Sequence, residues 1–169
     1  VFKFGFFHAD PHPGNVWALK DNRVCYLDFG MMGSVSGELR RNLLLFMYFF
    51  LREDIESSLY YLLQMPEKNK DADTDGFGEE ATNIMISFLR RKGEEMATMS
   101  TSFFQIILRG MSYRVYFPAT LVMLSKALVT GETMCRMTHP NMDYLKVARP
   151  VIEKVYGEEF GLTSVIFEY

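Results

Sequence analysis

The sequence has few of the features that assign a chain to a common structural class at sight. Among its 169 residues there are only two cysteines, Cys25 and Cys135, which excludes a disulfide-rich scaffold and a four-thiolate zinc site. We therefore expect a reducing compartment and two buried thiols. The longest apolar run covers only residues 43–51, so it predicts a buried core helix rather than a membrane span, which needs about 18 or more apolar residues.

The sequence also has no excess of positive charge. The net charge is −3 and charged residues make up 23% of the chain, so we expect no nucleic acid among its partners. Apolar side chains are abundant instead: hydrophobic residues at 49% and aromatics at 15% predict a large core. The length fits one domain, or one lobe of a larger one.

The chain opens on an apolar stretch, residues 1–7, without the basic region or cleavage site of a signal peptide. This stretch is typical of a strand entered midway. We therefore expect that the chain is a fragment cut at its N-terminus.

The rest of the sequence predicts an α+β fold that is predominantly helical. Two prolines in residues 8–15 forbid a regular helix there, and the short β-rich runs 16–19 and 23–27 around a polar turn predict a hairpin. Helical spacing begins near Ser36. We expect residues 1–35 to carry the loop and hairpin, and residues 36–169 to form five or six helices. The first predicted helix starts near Ser36, and the second is N-capped by Asp54 and ends before Pro66. An exposed loop is predicted at 67–78. The remaining helices are predicted at 79–92, 101–113, 118–135 and 143–156.

Three oxygen-bearing side chains stand out in the first segment. Asp10 and Asn15 lie in the proline-rich loop, and Asp28 follows the second strand of the hairpin. A carboxylate and an amide from neighbouring turns suit Mg²⁺ bound to a nucleotide, since this ion takes one or two protein oxygens and shares the rest with phosphates. We therefore predict Asn15 and Asp28 as metal ligands, with Mg²⁺ and ATP as cofactors.

The spacing of these residues resembles that of protein kinases. Their catalytic loop has the pattern H-x-D-x-x-x-x-N, followed by a hairpin and D-F-G, and here His8, Asp10 and Asn15 precede Asp28-Phe29-Gly30 in that order. The pattern predicts a kinase-like C-terminal lobe in which Asp10 is the catalytic residue that orients or deprotonates the nucleophile.

Other residues of the two turns are expected to shape the site. We interpret His8, Phe29 and Gly30 as structural, together with the loop-stiffening residues Pro11, Pro13 and Gly14. His12 stands where many kinases have a lysine near the transferred phosphate, so a phosphate contact is a further hypothesis. An alternative is a zinc site at His8, Asp10 and His12, although further ligands are not evident.

The motifs H-A-D-P-H-P-G-N at 8–15 and L-D-F-G-M-M-G at 27–33 resemble the UbiB family of atypical kinases, also called AarF- or ADCK-type. Residues 117–119, 128–132 and 147–150 are similar to the C-terminal lobe of that family. The family's alanine-rich nucleotide loop, phosphate-pairing lysine and Lys-x-Gly-Gln motif have no counterpart here. The resemblance therefore implies that the chain is a C-terminal-lobe fragment of an atypical kinase or ATPase and lacks the N-lobe. We expect this fragment alone to turn over little substrate.

Two features argue against a protein substrate. Ala9 replaces the arginine that pairs with a phosphorylated activation loop in regulated kinases, and few residues separate Gly30 from the helical segment. Both favour a small-molecule or lipid-linked substrate. The resemblance implies support of ubiquinone or other isoprenoid-lipid biosynthesis, with a lipid or quinone-biosynthesis proteins as partners. It also implies a membrane surface, on the cytoplasmic face in bacteria or in a mitochondrion or plastid.

Two other functions are compatible with the same residues. Aminoglycoside and choline kinases also use H-x-D-x-x-x-x-N loops, so a small-molecule phosphotransferase is one alternative. A non-catalytic, pseudokinase-like scaffold is the other, although Asp10, Asn15 and Asp28 are all present.

Overall fold

The computed structural model describes residues 1–91, 98–140 and 142–161. Within these residues the chain forms short antiparallel strands and then helices, as the sequence predicts. The strands are β1 (Phe6–His8), β2 (Val16–Ala18), β3 (Val24–Tyr26) and β4 (Met32–Ser34), and the helices are α1 (Gly37–Leu51), α2 (Ile55–Leu62), α3 (Thr74–Arg91), α4 (Met99–Gly110), α5 (Ala119–Thr138) and α6 (Tyr144–Phe160).

Strands β2 and β3 form the predicted hairpin. Val16 pairs with Tyr26 and Ala18 with Val24, and a short 3-10 turn at Lys20–Asn22 joins the strands. Asp21 has a φ of 73° in this turn, a left-handed conformation that Asp and Asn tolerate better than most residues. The hairpin thus places the residues before β2 beside the residues after β3.

A second two-stranded ladder joins β1 to β4, and the sequence did not indicate it. Phe7 pairs with Gly33, and the Phe7 ring lies where a side chain on residue 33 would stand, only 2.1 Å from an ideal Cβ. The prediction of a strand from Val1 is wrong in its extent, because residues 2–4 form a turn and β1 begins only at Phe6. The β1–β4 ladder holds the two ends of segment 1–35 together.

Polar residues begin the helices largely where the sequence predicts. Ser36 caps α1 by accepting from the Leu39 N–H, and Asp54 caps α2 by accepting from the Ser57 N–H at 3.0 Å. Asp143 caps α6 by accepting from the Lys146 N–H at 3.1 Å. The predicted N-cap at Asp54 is therefore confirmed.

Helix α3 begins earlier than the sequence predicts. The sequence predicts an exposed loop at 67–78, but α3 starts at Thr74, and Phe77 is fully buried. Asp73 accepts a 2.9 Å bond from the Gly76 N–H, which satisfies a free amide of the first turn. The predicted end of this helix, residue 92, lies outside the described residues.

The other helices differ from the prediction mainly at their ends. Helix α4 ends at Gly110, because residues 111–113 tighten into a 3-10 turn, and α5 and α6 extend to Thr138 and Phe160. Differences of this size are expected, since helix ends are the least regular part of a helix.

Helix α1 lies in the middle of the core. Leu43, Leu44 and Phe46 are at most 2% exposed, and α1 packs against both α2 and α6. The apolar run at 43–51 is therefore a core helix, as predicted. In the part of the chain that the structure describes, we find no helix with the length and apolar character to cross a bilayer.

The two thiols are not buried as expected. Cys25 and Cys135 are both half-buried and neither forms a disulfide within the described residues. Cys25 lies on the β2–β3 hairpin, where none of the strand residues is buried, so this strand has no buried face to receive the thiol.

Candidate functional site

The loop 8–15 connects β1 to β2 through two tight turns. The His12 N–H donates to the Asp10 carbonyl at 2.9 Å, and the Asn15 N–H donates to the His12 carbonyl at 2.8 Å. Pro11 and Pro13 lie between these bonds and fix their own φ angles. The loop is therefore folded back on itself, so that its first and last residues come close.

Asp10, predicted as the catalytic residue, and Asn15 and Asp28, predicted as metal ligands, lie at one end of the β2–β3 hairpin. The Leu27 N–H donates to the Asn15 carbonyl at 3.0 Å, which places Asn15 opposite the residue that precedes Asp28. The Asn15 side-chain amide donates to the Asp10 carbonyl at 3.3 Å. Asp10, Asn15 and Asp28 thus come together, although their roles stay predictions.

The D-F-G segment makes its own turn. The Asp28 carboxylate accepts a 2.7 Å bond from the Gly30 N–H, and a Cβ on Gly30 would lie only 3.1 Å from that carboxylate oxygen. Beyond the turn, the Ala9 N–H donates to the Met31 carbonyl at 2.9 Å. Phe29 is 63% exposed. Gly30 leaves room for the carboxylate, and the Ala9 bond ties the segment to the loop 8–15.

His8 bonds to both segments. Its Nδ1 accepts from the Asp10 N–H at 3.2 Å, and its Nε2 bonds to the Asp28 carbonyl. The ring also stacks on Tyr26 with a centroid distance of 5.2 Å. His8 therefore links the backbone of Asp10 to that of Asp28, and its structural role stays a prediction.

His12 is held beside Asp10. Its Nδ1 accepts from the Gly14 N–H at 3.0 Å, and its Nε2 lies 3.8 Å from an Asp10 carboxylate oxygen. A Cβ on Gly14 would lie 2.8 Å from the ring, so a larger residue there would displace it. A contact between His12 and phosphate stays a prediction.

The available donors suit a hard cation better than zinc. Asn15 and Asp28 offer amide and carboxylate oxygens, which Mg²⁺ prefers, and a nucleotide-bound Mg²⁺ needs only one or two of them from the protein. Among the described residues, no three His, Cys, Asp or Glu side chains form a group that could hold a metal ion, and a structural zinc site needs about four ligands.

A buried polar cluster behind the site was not predicted. Glu132 on α5 is only 2% exposed, and its carboxylate accepts from the Ser100 N–H at 3.2 Å and lies 3.4 Å from Arg136. Tyr144 shares a side-chain hydrogen bond with Ser100, and burial, together with nearby Glu132 and Cys135, raises its pKa. The Glu132–Arg136 spacing is equally typical of an exposed helix, so nothing in the sequence indicates that Glu132 is buried.

Comparison with known proteins identifies the relatives of this chain. Residues 1–61 match the family described as the ABC1 atypical kinase-like domain. This segment contains both motifs, the hairpin and helix α1. No solved structure matches the chain.

Individual proteins that match most of the chain have names that agree with the family match. The chain is 27% identical over 165 or more residues to proteins named "Probable protein kinase UbiB" from Xanthomonas campestris and Shewanella pealeana, with 99% and 95% of it covered. Its sequence is similar to those of the UbiB/ABC1 atypical kinases. The resemblance stated from the motifs is confirmed at modest identity.

Plant relatives extend this group. The chain is 26% identical over 155 residues to the Arabidopsis thaliana protein "ACTIVITY OF BC1 COMPLEX KINASE 7, chloroplastic", with 92% of the chain covered. The match spans 22% of that protein and 31% of the Xanthomonas UbiB protein. The chain thus corresponds to between about a fifth and a third of the length of these UbiB/ABC1 relatives.

Proposed function

We propose that the chain is the C-terminal lobe of a UbiB-type atypical kinase or ATPase that binds Mg-ATP. The observation that carries the proposal is the meeting of Asp10, Asn15 and Asp28 at one end of the β2–β3 hairpin, held by the Leu27–Asn15 and Asn15–Asp10 bonds. The match of residues 1–61 to a kinase-like family supports it.

Each of the three residues has a separate role in this proposal. Asn15 and Asp28 hold Mg²⁺, which when bound neutralises charge on the phosphates. Asp10 orients the nucleophile, a hydroxyl or water, and accepts its proton. In this proposal the His8 bonds to the Asp10 N–H and the Asp28 carbonyl keep Asp10, the general base, in a fixed position relative to Asp28, the metal ligand.

The connection after D-F-G supports a substrate other than a protein. Strand β4 begins at Met32 and α1 at Gly37, so the chain passes from Gly30 into a ladder and then a helix without an extended segment on which a peptide could dock. We infer a small-molecule or lipid-linked substrate and a role in ubiquinone or other isoprenoid-lipid biosynthesis. The place of action in this proposal is a membrane surface.

Nucleotide binding tests the proposal in the full-length protein. We expect Asp28→Asn to reduce Mg-ATP affinity by about a hundredfold, since a charged oxygen ligand is replaced by a neutral one, and to abolish ATP hydrolysis. Titration with a fluorescent ATP analogue, with and without Mg²⁺, measures the affinity.

Asp21→Asn is the matched control. Asp21 lies at the tip of the same hairpin with its side chain 80% exposed, and Asn tolerates its positive φ. We expect this variant to bind Mg-ATP as the wild type does. Equal Mg-ATP affinity in Asp28→Asn and Asp21→Asn would contradict the proposal.

A further inference from the structure

A surface pocket of about 450 Å³ lies where the chain passes from the end of α2 to the start of α3. Part of its lining is apolar and consists of Leu63, Pro66, Ala72 and Val115. Volumes of this size are typical of small-molecule sites. Among the described residues that line the pocket, none belongs to segment 1–35, so the pocket is separate from the candidate kinase site.

Two lysines give the pocket its positive charge. Lys68 and Lys70 both line it, and neither ammonium group pairs with any residue that the structure describes. Glu67 also lines the pocket and contributes one negative charge, and the Thr74 hydroxyl adds a neutral donor. The lining therefore has a net positive charge, which attracts an anion.

Asn69 lies between the two lysines and fixes the backbone that carries them. Its side-chain amide donates to the Arg114 carbonyl at 2.8 Å, and its side-chain oxygen accepts from the Asp71 N–H at 3.1 Å. The Glu67 N–H donates to the Tyr116 carbonyl at 2.7 Å. The segment that carries the lysines is thus held in place without a ligand, which reduces the entropy lost on binding.

The backbone opposite the lysines has an uncommon conformation. Arg114 has a φ of 57°, in the left-handed region that residues other than glycine seldom adopt. Its N–H donates to the Met111 carbonyl at 3.2 Å, and its carbonyl receives the Asn69 bond. The next residue, Val115, lines the pocket. Backbone of this kind persists where neighbouring contacts hold it, and it is concentrated at binding sites.

The acidic residues that follow the lysines in the sequence do not line the pocket. Asp71, Asp73 and Asp75 are all exposed, so water and salt screen their charges. The Asp73 carboxylate also accepts a 2.9 Å bond from the Gly76 N–H at the start of α3. We therefore expect the two lysines to decide which charge the pocket prefers.

We propose that this pocket binds a small organic carboxylate with an apolar body. The carboxylate lies between the ammonium groups of Lys68 and Lys70, which donate charge-assisted hydrogen bonds to it. The apolar body contacts Leu63, Pro66 and Val115. The inference does not depend on the proposed Mg-ATP function, since it uses none of the residues to which that function is assigned.

Binding of 1-naphthylacetate to the full-length protein, measured by calorimetry at pH 7 in low salt without Mg²⁺ or nucleotide, tests the proposal. The neutral compound 1-naphthylacetamide, which has almost the same shape, is the matched ligand. We expect saturable binding of the carboxylate and an affinity for the amide that is at least about tenfold lower, because charge-assisted bonds to the lysines are lost. Added salt should reduce this difference.

Three substitutions change the charge of the lining. Lys68→Gln and Lys70→Gln should each weaken 1-naphthylacetate binding about fivefold, since each removes one ammonium group from the pocket. Glu67→Gln should strengthen it about threefold, because a negative charge beside the carboxylate is removed. Lys146→Gln is the matched control: it removes the same charge from an exposed lysine of α6 outside the pocket, and should leave the affinity unchanged.

Nuclear magnetic resonance shows where the ligand binds. The side-chain amide of Asn69, between the two lysines, should shift on addition of 1-naphthylacetate. The side-chain amide of Asn15, in the loop 8–15, should not shift. A shift at Asn15 without one at Asn69 would place the ligand in the candidate kinase site and overturn the proposal.

The remaining outcomes separate this proposal from the Mg-ATP proposal. Absent 1-naphthylacetate binding, equal affinity for the carboxylate and the amide, or equal affinity in Lys68→Gln and Lys146→Gln overturns the carboxylate site whatever the nucleotide result. Binding that depends on Lys68 and Lys70 supports the site even if Asp28→Asn leaves Mg-ATP affinity unchanged.

Discussion

The imidazole of His8 donates a hydrogen bond to the backbone carbonyl of Asp28. The direction follows from the other ring nitrogen: Nδ1 faces the Asp10 N–H and so acts as the acceptor, which leaves the proton on Nε2. The His8 ring therefore sets the spacing between the loop 8–15 and the D-F-G segment, and it does so through the backbone.

Replacing His8 should loosen the site without removing a ligand. We expect His8→Ala to lower Mg-ATP affinity about tenfold, because two hydrogen bonds that fix Asp10 and Asp28 are lost and each contributes about 1 kcal/mol. Nucleotide titration measures the effect. His139→Ala, at an exposed histidine, should leave the affinity unchanged, and a His8→Ala protein with wild-type affinity would refute the linking role.

The β1–β4 ladder depends on the missing side chain at residue 33. We expect Gly33→Ala to lower the free energy of unfolding by about 1–3 kcal/mol, because the new Cβ would overlap the Phe7 ring. Chemical denaturation measures it. Gly37→Ala, where no atom lies within 4 Å of the Cβ position, is the control and should be neutral or slightly stabilising. If Gly33→Ala and Gly37→Ala have equal free energies of unfolding, the overlap with the Phe7 ring does not destabilise the protein and the prediction is wrong.

The buried Glu132 is expected to stabilise the packing of α4 on α5. We expect Glu132→Gln to lower the free energy of unfolding by about 1–3 kcal/mol, since a charged acceptor for the Ser100 N–H and Arg136 becomes neutral. Glu153→Gln, in the exposed pair with Arg149 at 4.0 Å, should cost less than about 1 kcal/mol. A larger loss in the free energy of unfolding for Glu153→Gln than for Glu132→Gln would contradict this prediction.

Acid should weaken α2 through its N-cap. The Ser57 backbone N–H and hydroxyl, which donate to the Asp54 carboxylate, hold the pKa of Asp54 below its ordinary value of about 3.8. Because the folded-state pKa is depressed, this stabilisation is present above about pH 3.8 and is lost as the pH falls through the folded-state value.

The change in Tm with pH therefore tests this cap. Asp54→Asn keeps a capping side chain but removes the titration, so its Tm should fall less than that of the wild type between about pH 5 and pH 2. Glu56→Gln, at an exposed position in the same turn, should follow the wild-type curve. Parallel curves for Asp54→Asn and the wild type would contradict the prediction.

The sequence predicted those parts of the fold whose signals are local. The hairpin 16–27 has its turn residues between its own strands, and the N-cap at Asp54 lies next to the helix that it begins. The grouping of Asp10, Asn15 and Asp28 could likewise be predicted, because the hairpin that brings Asp28 next to Asn15 lies directly between these two residues in the sequence.

The features that were missed depend on distant contacts. Strand β4 is the three residues Met32–Ser34, which have no β-pattern of their own and become a strand only by pairing with β1. The start of α3 was missed because Gly76 and Gly78 favour a loop, whereas burial of Phe77 and the cap at Asp73 favour the helix. Such tertiary contacts override local propensity.

The most direct test of the account is whether one divalent cation lies beside both Asn15 and Asp28. Mn²⁺ can replace Mg²⁺ in the presence of ATP, and its unpaired electrons broaden nuclear magnetic resonance signals of nearby protons. We predict that the Asn15 side-chain amide and the Gly30 N–H, which donates to the Asp28 carboxylate, both disappear, while the side-chain amide of Asn69 stays sharp. Sharp Asn15 and Gly30 signals under saturating Mn-ATP would contradict the account.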